Sequence, residues 1–216
     1  MGIAELDTLI RDARNQLQSD KWGLLPLPTR TKLWTALGPE RRALDGSGNP
    51  KGAAITAGMR RRFRLAEACT QRVFPVWEQE VKTRDPLDML DAAQDYLRQE
   101  IDWNAALDIE QEFLGGLQHA HQLKDKTYVA SAGCAAVGAL DVVLTDGLPF
   151  YPQSSDWDVD YEEWDPAFSG SVAWAHGSPW VAGYDPDRGR EWWFRFLDQV
   201  IPSYESVSDR ASTRSL

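Results

Sequence analysis

The chain has 216 residues, of which 33 are acidic and 23 are basic, so its net charge is −10 with neutral histidines. This length is enough for one domain with a real core, and a hydrophobic content of 43% excludes a largely disordered chain. The acidic balance argues against nucleic acid or an anionic membrane as the partner, because both require a basic face on the protein.

The N-terminal fifty residues predict two helices and a loop. The first residues lack the basic region and the apolar run of a signal peptide, so we expect a cytoplasmic protein. Thr29 or Thr31 can cap a short second helix that stops at Gly38 and Pro39. Residues 45–52, rich in Gly, Asn and Pro, predict an exposed, mobile loop or, as the alternative, a domain boundary. The first helix is predicted by apolar residues at three- and four-residue steps: Ile3, Leu6, Leu9, Ile10, Ala13 and Leu17.

A third helix is predicted over residues 53–72, followed by a kink or a new turn at Pro75, which cannot donate a backbone hydrogen bond. A basic run is expected mostly on its outer face: Arg60, Arg61, Arg62 and Arg64. Four arginines suggest phosphate binding, but pairing inside the chain, including pairing with acidic residues further along it, is the stronger interpretation.

Two more helices are predicted before residue 122. Asp85 with Pro86 marks the start of one, and Asp102 caps the next. Gly115 and Gly116 within the second of these helices predict a bend or a close helix contact, because glycine in a helix interior costs about 1 kcal/mol relative to alanine.

Residues 127–144 are small and apolar on nearly every side, which predicts a helix buried at the centre of the protein. A membrane span is the weaker alternative, because Ala and Gly are only weakly apolar and Asp141 interrupts the run. Ala135 and Gly138 are therefore expected to lie in the core.

The segment from Thr127 to Asp187 contains ten acidic residues and no Lys or Arg, so the rest of the chain sums to zero charge. Within it, residues 156–165 interleave carboxylates with aromatic rings, a combination that suits a docking surface for a protein partner. The alternative is a solvated acidic loop whose tryptophans, Trp164 and Trp174, turn inward to the core.

Asp165 with Pro166 predicts a helix that ends near Gly177, and Asp185 or Asp187 predicts a last helix that ends before Pro202. No segment alternates with period two, so the fold class is all-α: a single helical-bundle-like domain of about seven to nine helices around the small-residue central helix. The predicted core comprises Trp77, Ala135, Gly138, Trp164, Trp174, Trp192 and Trp193.

No residue pattern predicts a catalytic, metal or cofactor site. Asp156, Asp158 and Asp160 imitate the start of a calcium loop, but Tyr161 stands where the loop needs Gly and Ala167 where it needs Glu. Among the histidines, His119 and His121 point in different directions on a helix, and His176 has no partner in the sequence. Cys69 and Cys134 lie in apolar helical patterns, where free thiols are expected.

Four segments in order resemble a family of bacterial immunity proteins, immunity family five of polymorphic toxin systems. They are residues 65–78, with Leu-Ala-Glu-Ala-Cys and Val-Phe-Pro-Val-Trp-Glu, residues 132–140, residues 164–174, and residues 190–202, with Arg-Glu-Trp-Trp-Phe-Arg. The resemblance implies a mostly helical protein that neutralises a toxin encoded beside it. The expected divisions are a variable N-terminal helical extension packed on the core (1–52), which the resemblance does not cover, the immunity domain (53–202), and a flexible tail (203–216) that lacks apolar periodicity.

A binding inhibitor is therefore the favoured function, and a carboxylate-based or metal-dependent enzyme and a homo-oligomeric scaffold are the alternatives. The partner is expected to be a basic toxin, with a nuclease as the favoured kind, and the chain to be a monomer or weak dimer without cofactors. The predicted toxin-binding residues are Asp156, Trp157, Asp158, Asp160, Tyr161, Glu162, Glu163 and Asp165.

Overall fold

The computed structural model describes residues 2–39, 54–121, 127–146, 156 and 164–205. These residues form eight helices and no strand, which confirms the all-α prediction. The helices are α1 (Ile3–Ser19), α2 (Leu27–Ala36), α3 (Ala57–Glu80), α4 (Asp85–Arg98), α5 (Trp103–His121), α6 (Thr127–Thr145), α7 (Pro166–Trp174) and α8 (Pro186–Glu205). The predicted loop at residues 45–52 lies outside this part of the chain.

Helix α6 is the centre of the fold and packs against α3, α4, α5 and α7. Nearly all of its residues are buried, because its small side chains let the neighbouring helices approach closely. A Cβ atom on Gly133 would lie 2.9 Å from Cζ3 of Trp77, and one on Gly138 would lie 2.9 Å from Cγ of Pro166. The helix is long and apolar enough to cross a membrane, but 83% of that apolar window is buried inside the protein, as in a core helix.

Helix α3 runs through Pro75 without ending, so the predicted kink or new turn does not divide it. Pro75 and Gln71, four residues earlier, are both exposed, so water can reach the carbonyl group that proline leaves without a partner. Arg62 is fully buried, which corrects its predicted outward orientation.

The N-terminal helices pack on the rest of the chain, with α1 lying against α2 and α8. Most of the apolar face of α1 is buried as predicted, but Leu9 is half-buried and Ile3 at the start of the helix is 45% exposed. Helix α2 begins at Leu27, before either predicted cap. The hydroxyl of Thr29 instead donates to Oε1 of Gln16 at 2.7 Å, and that of Thr31 donates to the carbonyl of Leu27 at 2.8 Å.

Four predicted helix starts are correct to within a residue: those at Asp85, Asp102, Asp165 and Asp185. Oδ1 of Asp102 accepts a hydrogen bond from the backbone N–H of Ala105 at 2.9 Å, and Asp165 caps α7 in the same manner. The predicted end of α8 is wrong, because the helix continues through Pro202 to Glu205 and buries Ser203. Residues 206–216 of the predicted tail are outside the described structure.

Candidate partner-binding surface

The buried guanidinium group of Arg30, on α2, joins the two ends of the acidic aromatic segment. Its Nε donates to Oδ2 of Asp165 at 2.8 Å, and its Nη1 and Nη2 donate to the carboxylate of Asp156, with Nη1 at 3.1 Å from Oδ2. Nη1 also donates to the carbonyl of Leu25 at 2.8 Å. Burial alone would lower the pKa of Arg30, but Asp165 and Asp156 together outweigh burial and raise it. Arg30 therefore remains a cation at physiological pH.

Asp165 has a second set of partners inside the protein. Its Oδ1 accepts the backbone N–H groups of Ala167 and Phe168, at 3.0 and 3.2 Å, and the indole N–H of Trp34 at 3.3 Å. Its side chain is 0% exposed. The structure therefore places Asp165 inside the fold rather than on the partner-facing surface that the sequence analysis predicted.

Asp156 and Asp165 are the first and last members of the predicted toxin-binding set. The side chain of Asp156 is 12% exposed, so most of its carboxylate is also enclosed. The other six members lie outside the described residues: Trp157, Asp158, Asp160, Tyr161, Glu162 and Glu163. The structure thus describes how the two ends of this segment are anchored. No pattern in the sequence indicates Arg30, because it lies 126 and 135 residues from the two carboxylates.

An aromatic cluster supports this anchor. The guanidinium carbon of Arg30 lies 4.6 Å from the ring centroid of Phe168 and 5.4 Å from that of Trp193. Trp164 contacts Phe168 edge-on at 4.9 Å and Trp180 at 5.9 Å. Trp164 is half-buried against the core, an arrangement that matches the inward alternative for this tryptophan.

The remaining residues of the predicted core differ in how far they are buried. Trp174 is half-buried, with the guanidinium carbons of Arg188 and Arg195 each 5.7 Å from its ring centroid. The others are buried, and they are Trp77, Ala135, Gly138, Trp192 and Trp193.

The basic run on α3 contacts other parts of the chain. Arg62 is paired with Asp146 in a fully buried ion pair and donates to the carbonyl of Gly38 at 2.7 Å. Arg60 donates to the carbonyl of Leu97 at 2.9 Å. These contacts favour the intramolecular interpretation over phosphate binding, and Asp146 belongs to the acidic segment, as that interpretation proposed.

Residues 10–203 match the family described as immunity protein Imm5. The chain belongs to this family. No curated protein matches the chain. The matched region runs from within α1 to near the end of α8, so it also takes in the N-terminal residues that the four resembling segments left out. As an Imm5 protein, the chain is an immunity protein directed against a toxin.

Within the described part of this Imm5 protein, no group of three or more His, Cys, Asp or Glu side chains is arranged to hold a metal ion. Cys69 and Cys134 are both buried free thiols, as predicted. The exposed ring of His176 stacks on Tyr128 with 4.8 Å between the ring centroids.

Proposed function

We propose that this protein binds its cognate toxin directly in the cytoplasm and blocks it without any catalytic step of its own. The observation that carries the proposal is the family match over residues 10–203. The sequence supports it, because it contains no pattern typical of a nucleophile, a metal site or a phosphate loop.

The contact surface proposed for the toxin is the stretch between the two anchored carboxylates, residues 157–163. Arg30 uses Asp156 and Asp165 to fix the ends, and the sequence between them still carries four acids and no base: Asp158, Asp160, Glu162 and Glu163. Trp157 and Tyr161 are the proposed apolar anchors, because aromatic residues in desolvated pockets dominate binding energies at protein interfaces. Fixed ends support this role, because they reduce the conformational entropy that the segment loses on binding.

A partner for such a segment presents a basic surface. Nucleases bind a polyanion in a basic cleft, so carboxylates that replace the phosphates would block the substrate site directly. We therefore propose a nuclease as the toxin.

The test begins with the reading frame adjacent to the gene for this chain. Its toxin domain, inactivated by substitution, is purified and titrated into the immunity protein by calorimetry, and the active form is expressed in cells with and without the immunity protein. A one-to-one complex and survival of the co-expressing cells are expected. Death of the co-expressing cells, together with no heat of binding at micromolar concentrations, would overturn the proposal.

A further inference from the structure

The surface formed by α4 and α5 is strongly acidic. Between residues 85 and 121 there are nine acids and one base, Arg98. The acids are Asp85, Asp88, Asp91, Asp95, Glu100, Asp102, Asp108, Glu110 and Glu112. Glu110 is buried, so the other eight form the acidic surface. Arg98 already contacts Asp95 at 3.3 Å and Glu100 at 3.9 Å. Arg84, directly before α4, contacts Asp88 at 3.6 Å and Asp91 at 3.5 Å. The net charge outside residues 127–187 does not reveal these acids, because the basic residues of α3 and of the N-terminal region balance them.

A groove of about 530 Å³ opens on this surface, where the end of α4, the start of α5 and the residues before α3 meet. Ile55, Ile101 and Tyr96 form apolar walls, and the exposed residues Glu100 and Asp102 line the same groove. Gln99, in a left-handed conformation with φ 64°, ends α4 beside it. Arg60 on α3 reaches this end of α4, where its Nη2 donates to the carbonyl of Leu97.

One exposed stripe of α5 continues from the groove. Asp102, Ile109 and Glu112 are spaced by seven and three residues, so they lie on the same side of the helix. Ile109 is 37% exposed, one of four large apolar side chains that are exposed in the described chain. Asp108 and Glu112 are exposed and form no ion pair among the described residues, although like charges four residues apart on a helix repel each other.

We propose that this groove and the Ile109 stripe form a second docking surface for the toxin, occupied by a segment that carries a Lys or Arg side chain. The aliphatic part of that side chain fits the apolar walls, and its charged end reaches Glu100 and the neighbouring acids. The occupant follows from charge complementarity: the exposed acids of this surface outnumber its bases, and Arg84, Arg98 and Arg60 already contact groups within the chain. The inference rests on the proposed function, but it uses a surface separate from the segment anchored by Arg30.

The probe is the inactivated toxin domain of the adjacent reading frame, used once calorimetry has established that it binds the unaltered chain. Ala54 is exposed and lines the groove. In the variant Ala54→Trp, the large indole side chain is meant to fill the groove and keep the toxin segment out. The matched control is Ala4→Trp on α1, where Ala4 is exposed and the helix packs chiefly on α8 and α2. Ala54→Trp is expected to raise Kd at least tenfold, whereas Ala4→Trp leaves it unchanged.

A second pair of variants tests the charge without adding bulk. Asp108→Asn combined with Glu112→Gln is expected to slow association about tenfold at low salt, because it removes two carboxylates that attract the basic segment. Asp7→Asn combined with Asp12→Asn removes the same charge from exposed positions of α1 and leaves the rate near wild type.

Wild-type binding by both Ala54→Trp and the α5 double variant would overturn the docking surface and leave the proposed function intact. A change in self-association by light scattering, with toxin binding unaltered, would assign the surface to a second copy of the chain and overturn the inference as well.

Discussion

Nε of Arg30 lies 2.8 Å from Oδ2 of Asp165, and the two side chains are 1% and 0% exposed. A buried charge that loses its partner is expensive, because the remaining ion can neither reach water nor find another counterion. Arg30→Met is therefore expected to lower the free energy of unfolding by about 3–5 kcal/mol, measured by urea denaturation.

The matched control for Arg30→Met is Arg14→Met, which breaks the ion pair of Arg14 with Asp198. That pair is 37% and 57% exposed, so its loss is expected to cost about 0–1 kcal/mol. Equal losses of stability in the two variants would show that burial does not determine how much the Arg30 ion pairs contribute to the free energy of unfolding.

Replacing glycine with alanine is expected to change the stability of the protein in opposite directions at Gly138 and Gly116. A Cβ atom on Gly138 meets the rigid ring of Pro166 at 2.9 and 3.1 Å, so Gly138→Ala is expected to destabilise the protein by about 1–3 kcal/mol through overpacking. No described atom lies within 4 Å of a Cβ on Gly116, so Gly116→Ala is expected to stabilise by up to about 1 kcal/mol through helix propensity. Thermal melting of the two variants checks the signs. Stabilisation by Gly138→Ala would contradict the close approach of α6 to α7, and destabilisation by Gly116→Ala would contradict the open space around Gly116.

Glu110 on α5 and Asp141 on α6 bring two carboxyl groups together between their helices. Burial, together with the charge of Asp141, raises the pKa of Glu110 from 4.5 to about 9, and burial raises the pKa of Asp141 from 3.8 to about 6. Between pH 4.5 and 9 the folded state therefore binds more protons than the unfolded state. The stability that comes from Glu110 is complete below pH 4.5 and is lost as the pH rises to 9, by up to about 1.4 kcal/mol for each pH unit.

Glu110→Gln should flatten this pH dependence, because the amide keeps the size of the side chain and cannot ionise. The variant is expected to be more stable than the wild type at pH 8 and similar to it at pH 4, in urea denaturation at a series of pH values. Glu112→Gln, which removes an exposed carboxylate from the same helix, should retain the wild-type slope. An unchanged slope in Glu110→Gln would mean that Glu110 does not bind the additional proton.

Neutralising the four acids between the anchored ends tests the toxin-facing segment. The combined replacement Asp158→Asn, Asp160→Asn, Glu162→Gln and Glu163→Gln is expected to lower the association rate at least tenfold at low salt and to weaken its dependence on salt. Stopped-flow binding to the inactivated toxin measures both. An on-rate equal to that of the wild type, with cells still protected, would show that the toxin binds elsewhere.

Trp157→Ala tests the proposed apolar anchor of the same segment. Truncating an aromatic side chain at the centre of an interface costs about 2 kcal/mol or more, mostly as faster dissociation. We therefore expect an off-rate at least tenfold higher with an on-rate close to wild type, measured by surface plasmon resonance. Trp22→Ala is the control, because Trp22 is 45% exposed and lies outside both proposed docking surfaces. Equal effects of the two substitutions would contradict a specific role for Trp157.

Local patterns in the sequence predicted the helices well, because caps, proline positions and apolar spacing act over a few residues. Asp102 and Asp165 were both identified as helix starts, and both carboxylates accept backbone N–H groups there. The helix ends predicted before Pro75 and Pro202 are wrong, because both helices continue through proline. There the neighbouring side chains are held by tertiary packing, as the buried Ser203 illustrates, and packing outweighs the loss of one backbone hydrogen bond.

The sequence by itself determined the helical class, the central position of α6 and the presence of an acidic segment, because each depends on which residues stand near one another in the chain. It did not determine which charges are free to meet a partner. Asp165 was predicted on the surface and Arg62 on the outer face of α3, yet both are buried in ion pairs with residues 135 and 84 positions away. Only the tertiary structure decided these pairings, because a buried charge is stabilised by the counterion that folding brings within hydrogen-bond distance, whatever their separation in the sequence.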